Sequence, residues 1–241
     1  MSSIDDRFPT QAVPMTTVPD TEAETETRVA VGAELTKKRG GGLAWELLQT
    51  IVLTLAIFLG VRSIVQNFRV EGASMEPTLE TAQYLLISKA SYFHIEGTPL
   101  DRFLPSTHQG STDYLFGGPQ RGDVVVFKAP TQPDKDFIKR IIGLPGDTIL
   151  IKNGVVIING VPLDEAYIHY PATYTYPFDG QPRQVPDANY FVLGDNRPNS
   201  SDSHLGWFVP VDNLIGKAWI SYWPPTDWGL MPGGDSVYAQ K

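Results

Sequence analysis

Ser74 stands in Gly72-Ala73-Ser74-Met75-Glu76-Pro77-Thr78-Leu79, a segment too irregular for a helix, where a hydroxyl beside glycine and proline can be exposed. A serine at its free pKa is a weak nucleophile and needs a base. The sequence has no cysteine, which removes thiol nucleophiles, cysteine zinc sites, iron–sulfur clusters and a disulfide scaffold. The Gly-x-Ser-x-Gly elbow of α/β-hydrolases is absent, because Glu76 fills its last position. Of the four histidines, His94, His108 and His169 lie in proline- or glycine-rich stretches; only His204, near Asp202, has company suited to a base. No His-Glu-x-x-His spacing occurs. The run 195–202 is not a calcium loop either, since Arg197 takes the third ligand position and no glycine stands at the sixth.

Lysine is the other base available. In Phe137-Ile138-Lys139-Arg140-Ile141-Ile142, strand alternation puts Lys139 on one face with Phe137 and Ile141. Loss of water disfavours the ammonium form, and burial lowers a lysine pKa by several units from about 10.4. A fall to about 8 costs roughly 3 kcal/mol, within reach of one well-covered site. An ordinary turn serine and a strand-end lysine that snorkels to water share these local signatures.

The elements that must hold these groups fall into three parts. Overall, 241 residues with 41% apolar, 19% charged and a net charge of −8 suit one globular domain with appendages. The acidic balance argues against a nucleic-acid partner, which would need clustered Lys and Arg. Residues 1–42 read as a disordered acidic tail: before residue 37 seven acids face only Arg7 and Arg28, and Lys37-Lys38-Arg39 close it with a basic cluster. Residues 43–65 read as a transmembrane helix, reaching roughly 34 Å at about 1.5 Å per residue against a hydrocarbon core of about 30 Å. Trp45 sits where an interfacial aromatic belongs, and the basic triplet before the span favours a cytoplasmic N-terminus.

From 66 to 241 the pattern becomes short β-branched and aromatic runs at 84–88, 124–127, 137–142, 148–152, 155–158, 190–193 and 218–223. Asn153-Gly154 and Asn159-Gly160 predict hairpin turns, and Leu144-Pro145-Gly146-Asp147 a type II turn. The fold class is mainly β, in antiparallel sheets, with longer connections at 94–120 and 166–188 expected as surface loops or a small lobe.

Four segments in order carry a resemblance. Ser-Met-x-Pro-Thr-Leu at 74–79, Arg-Gly-Asp-Val-Val-Val-Phe at 121–127, Phe-Ile-Lys-Arg-Ile-Ile-Gly-Leu-Pro-Gly-Asp at 137–147 and Gly-Asp-Asn-Arg-Pro-Asn-Ser-Ser-Asp-Ser at 194–203 together resemble bacterial type I signal peptidases. The resemblance covers roughly residues 43–222 and implies a signal-peptidase-like catalytic domain. It implies that Ser74 is the nucleophile and Lys139 the general base, that Ser200 hydrogen-bonds the lysine amine, that Asp202 helps hold the site, and that Asp195, Asn196 and Arg197 shape the loop. The backbone N–H of Ser74 would bind the oxyanion. Some members add a hydroxyl where Gly72 stands here. Two positions depart from the pattern: Pro198, often Asp, and His204, often Arg.

By the same resemblance, Val70, Met75, Leu79, Leu85, Val126, Phe137 and Ile138 would wall shallow apolar pockets for small residues of a signal peptide. The implied reaction is cleavage of preproteins at the outer face of the cell membrane, or of an internal thylakoid membrane. No cofactor or metal is called for. The expected partners are signal peptides and the lipid bilayer, with Trp219, Tyr222, Trp223 and Trp228 available to the bilayer. Two other classes share parts of the pattern. A self-cleaving Ser/Lys repressor-type protease would have a DNA-binding domain in place of the span, and a non-catalytic tethered β domain would leave the spacing of the four segments unexplained.

Overall fold

A computed structural model describes residues 42–92, 114 and 117–233. The expected tail up to residue 41, with its basic cluster, and most of the 94–120 connection lie outside the described residues. Helix α1, Gly42–Ile64, has 23 residues and buries none of them, and its length and composition allow a membrane crossing. It ends one residue earlier than expected. Val65 opens a strand instead, pairing with Ser88.

Twelve strands are described: β1 Val65–Arg69, β2 Tyr84–Ser88, β3 Val124–Ala129, β4 Gln132–Gly143, β5 Thr148–Lys152, β6 Val155–Ile158, β7 Val161–Pro162, β8 Arg183–Gln184, β9 Asn189–Leu193, β10 Val209–Pro210, β11 Leu214–Trp223 and β12 Gly229–Leu230. Eight form one sheet in the order β1-β2-β11-β3-β4-β9-β10, with β12 on β11, and four form a second in the order β7-β6-β5-β8. Every strand pair is antiparallel.

The turn chemistry acts as the sequence predicts. Asn153 and Gly154 both adopt positive φ, 53° and 81°, the twist that joins β5 to β6 without splaying them. β4 is longer than its apolar run: its exposed half at 132–136 pairs with β3, whereas the half from Ile138 onward is buried on both faces. The short strands β7, β8, β10 and β12 have too few residues to show a period in sequence. The 166–188 connection is more than a surface loop. Tyr176 bridges to Ile151 with two backbone hydrogen bonds, 2.7 and 3.0 Å, and Ala172, Tyr176 and Val185 join the core over the second sheet. Backbone pairing and aromatic burial there replace the strand periodicity that the sequence lacks.

Candidate active site

Ser74 follows β1 in a segment fastened from both sides. Met75 and Leu79 are buried with Val70, Leu85, Val126 and Ile138 in one core cluster, so the residues flanking the hydroxyl are anchored by apolar packing. Gly72 turns the chain at φ 85°, a conformation that suits glycine. The 194–203 loop fixes the backbone: Asn196 N–H donates to the Ser74 carbonyl at 3.0 Å, and Asn196 Nδ2 to that of Ala73 at 3.0 Å. Gly194 lies against this junction so closely that a Cβ would overlap the Ser74 carbonyl and Ser200.

Lys139 reaches Ser74 from β4. Its Nζ is 2.7 Å from Ser74 Oγ and donates to the Ile138 carbonyl at 2.8 Å, with the residue only 4% exposed. Loss of water pushes the amine down from its ordinary 10.5 to about 8, against the upward pull of Asp202 and then Asp195. The expected dehydration is therefore present. Both faces of β4 are covered here, because Arg140 on the opposite face is as deeply buried as Lys139.

Arg140, to which the sequence assigns no role, joins β4 to the 194–203 loop. Its Nε and Nη2 donate to Asp195 at 2.9 and 2.6 Å, its Nη1 donates to the Gly122 carbonyl at 2.8 Å, and it lies 4.3 Å from the Tyr167 ring centre. Thr78 donates to the same carboxylate at 2.5 Å, tying the segment after Ser74 to the 194–203 loop. A charged residue inside Ile-Lys-Arg-Ile-Ile was the available signal, since a fully buried guanidinium needs a partner.

The remaining expected residues separate into groups. Asp202 is fully buried: Oδ2 accepts the Gly194 N–H at 2.9 Å and Oδ1 pairs with His204 Nδ1 at 2.7 Å. His204, although it departs from the family pattern, thus pairs with Asp202. Arg197 draws its counter-charge from Glu165, outside the loop, so Pro198 does not deprive it of an ion pair. Ser200 is buried beside Gly194, but its Oγ makes no hydrogen bond among the described residues, unlike the bond to the lysine amine that the resemblance implies. Its hydroxyl is turned to Gly194, and Lys139 uses the Ile138 carbonyl instead.

A groove of about 690 Å³ opens at the dyad, lined by Phe68, Gly72, Ser74, Phe137, Ile138 and Lys139 among others. Of the residues expected to form apolar pockets, Phe137 and Ile138 line it; Val70, Met75, Leu79, Leu85 and Val126 lie beneath in the core cluster. Packing of the nucleophile's flanks draws them inward. Both walls carry strand edges. β1 is the outermost strand of its sheet, and β9 pairs with β4 only from Arg140 onward.

The chain matches the family described as signal peptidase, peptidase S26, over residues 44–223. A protein of Synechocystis sp. named probable signal peptidase I-2 is 40% identical over 193 residues, 77% of this chain and 76% of the relative. A signal peptidase I of Leptolyngbya laminosa is 39% identical, covering 74% of this chain and 79% of its own. A crystal structure of a signal peptidase I from Enterococcus faecalis V583 is 36% identical over 41% of this chain and 95% of that one, with a TM-score of 0.37. By the extent and identity of the sequence matches, the chain belongs to the signal peptidase family, peptidase S26.

Proposed function

We propose that this chain is a membrane-anchored serine endopeptidase that removes N-terminal signal peptides from exported preproteins, with Ser74 as nucleophile and Lys139 as general base. The observation that carries the reading is an amine 2.7 Å from a hydroxyl in a site that lowers its pKa to about 8. The neutral amine takes the proton of Ser74 Oγ as that oxygen attacks the scissile carbonyl. The ammonium then gives its proton to the departing amine, leaving an ester on Ser74. Water, deprotonated by Lys139, attacks that ester and returns the free hydroxyl. Gly72 offers no side-chain donor to the oxyanion, so the Ser74 backbone N–H carries that role. Such a donor is worth about 10²- to 10³-fold in rate.

An extended substrate fits between the edges of β1 and β4, where main-chain hydrogen bonds supply affinity and the groove walls restrict side-chain size. α1 anchors the chain in the bilayer, the basic cluster lies on the cytoplasmic side and the catalytic domain on the outer side of the cell membrane. The same reading applies to a thylakoid membrane. Trp219, Trp223 and Trp228 are exposed and suit the headgroup region.

The test is to incubate the full chain in detergent with a purified preprotein and read the product ends by mass spectrometry. Cleavage once, after a small residue at the end of the signal peptide, is expected, with none by Ser74→Ala. A Ser74→Ala protein that cleaves at the parent rate overturns the assignment. Gly194→Ala is expected to lower kcat about 10²-fold, because the added Cβ displaces the Ser74 carbonyl and shifts the hydroxyl by a fraction of an ångström or more. Steady-state kinetics check it, and a parental kcat would show that the junction tolerates the methyl.

A further inference from the structure

The last turn of α1 and the end of β2 meet at one cavity. Lys89 follows β2, and its backbone N–H donates at 2.8 Å to the carbonyl of Ile64, the last residue of α1. Beside that bond, Val65 pairs with Ser88 in the β1–β2 ladder. These contacts hold the helix end against the strand, so that Arg62 and Lys89, distant in sequence, line the same space. The cavity measures about 530 Å³, and Phe58, Val65, Gln66 and Asn67 complete its lining.

Its charge is one-sided. Two of the lining residues are cations and none is an acid. The neighbouring groove at the dyad instead mixes Arg69, Lys135 and Lys139 with Glu71, Asp134 and Asp136. Arg121, Lys128 and Lys217 each pair with a carboxylate, whereas among the described residues no carboxylate pairs with Arg62 or Lys89. In a chain with a net charge of −8, such a cavity is suited to an anion from outside the chain.

Position decides which anion. Arg62 lies two residues before the end of α1, about 3 Å along the axis at about 1.5 Å per residue, and so stands at the outer limit of the hydrocarbon when α1 spans. Phe58, one turn deeper on the same helix face, is exposed. An arginine at the outer end of a span runs against the tendency that keeps Lys and Arg on the cytoplasmic side. Snorkelling accounts for Arg62 alone but not for Lys89, which reaches the cavity from the end of a strand.

We propose that this cavity holds the headgroup of an anionic phospholipid, with its phosphate between Arg62 and Lys89 and an acyl chain along Phe58. The inference rests on the reading of α1 as a membrane anchor with the catalytic domain on the outer side. The guanidinium offers paired N–H donors to phosphate oxygens, the ammonium adds a point charge, and the Gln66 and Asn67 amides add neutral donors. A zwitterionic headgroup carries its own cation and gains less from the pair. Gln66 and Asn67 also line the catalytic groove, so the lipid lies next to the β1 edge of the substrate path.

The test offers short-chain lipids to the full chain in detergent and counts bound lipid by native mass spectrometry. Dioctanoyl phosphatidylglycerol is expected to be retained over dioctanoyl phosphatidylcholine about twenty-five-fold, at about fivefold per cation. R62Q/K89Q is expected to hold both equally. K152Q/R183Q, which removes the same charge from β5 and β8 of the second sheet, is expected to keep the parent preference. No preference in the parent, or the same loss in both double variants, overturns the proposal. Should Lys89→Gln disturb the thermal transition, Arg62→Gln alone is expected to lower the preference about fivefold, and an unchanged preference is equally fatal. Glycerol 3-phosphate retained as well as the lipid would make the occupant a free phosphate ester and overturn the lipid assignment. Flotation with phosphatidylcholine vesicles separates the two readings: a parent chain that stays in solution sinks the anchor, whereas one that floats but shows no anionic preference sinks only the headgroup site.

Discussion

Lys139→Met is expected to lower kcat/KM by about four orders of magnitude or more while making the fold more stable at neutral pH. Activity falls because Lys139 is the base that contacts the Ser74 hydroxyl among the described residues, and that hydroxyl cannot shed a proton unaided. Stability rises because the wild-type fold buries an amine that prefers water. Lys139 titrates near 8 when folded and near 10.5 in its ordinary state, so between those values the unfolded chain binds more protons. Stability of the parent therefore increases as pH rises through that window. Below about 8 the folded state carries the whole penalty, about 3 kcal/mol at 1.36 kcal/mol per unit. Methionine keeps the length and removes the charge. Its advantage should be largest at pH 7 and shrink by pH 10, a trend that urea midpoints at the two values measure. A variant less stable than the parent at pH 7 would mean that the amine is not short of water. For the parent, activity should climb about tenfold per pH unit well below 8.

Asp195→Ala should cost about 3–5 kcal/mol of stability. Arg140 and Asp195 are both fully buried, and the carboxylate takes two nitrogens of the guanidinium and the Thr78 hydroxyl. Truncation removes the carboxylate that takes Nε and Nη2 of a permanent buried cation, while Nη1 stays on the Gly122 carbonyl. Replacing both partners, as in Arg140→Met with Asp195→Leu, should recover most of the loss, because apolar packing in place of a buried pair is often neutral. Denaturant midpoints of the single and double variants decide it. A loss below about 1 kcal/mol for Asp195→Ala would show that water reaches the guanidinium.

The two effects have opposite signs although Lys139 and Arg140 are adjacent and equally inaccessible. Arg140 has a full set of partners, so removing one exposes the cost of burial. Lys139 bonds a hydroxyl and a carbonyl and, among the described residues, no carboxylate, so removing its charge relieves that cost.

Much of the framework follows from local sequence. The apolar run that becomes α1 is too long and uninterrupted for a strand, and the Asn-Gly pairs fix two hairpins because few residues accept positive φ. The ordered segments around Ser74, Lys139 and 194–203 single out the two residues that the fold brings together. Local sequence could not say that Lys139 would lie against a hydroxyl 65 positions away, or that Arg140 would find its counter-charge 55 positions on. It likewise could not place Ser200 beside Gly194, draw Val70, Met75, Leu79, Leu85 and Val126 into the core, or bring Tyr174 onto His204. Each outcome depends on which distant chain excludes water from a given atom. Dehydration is a property of the assembled surface, whereas turns and membrane-length helices arise from residues adjacent in sequence.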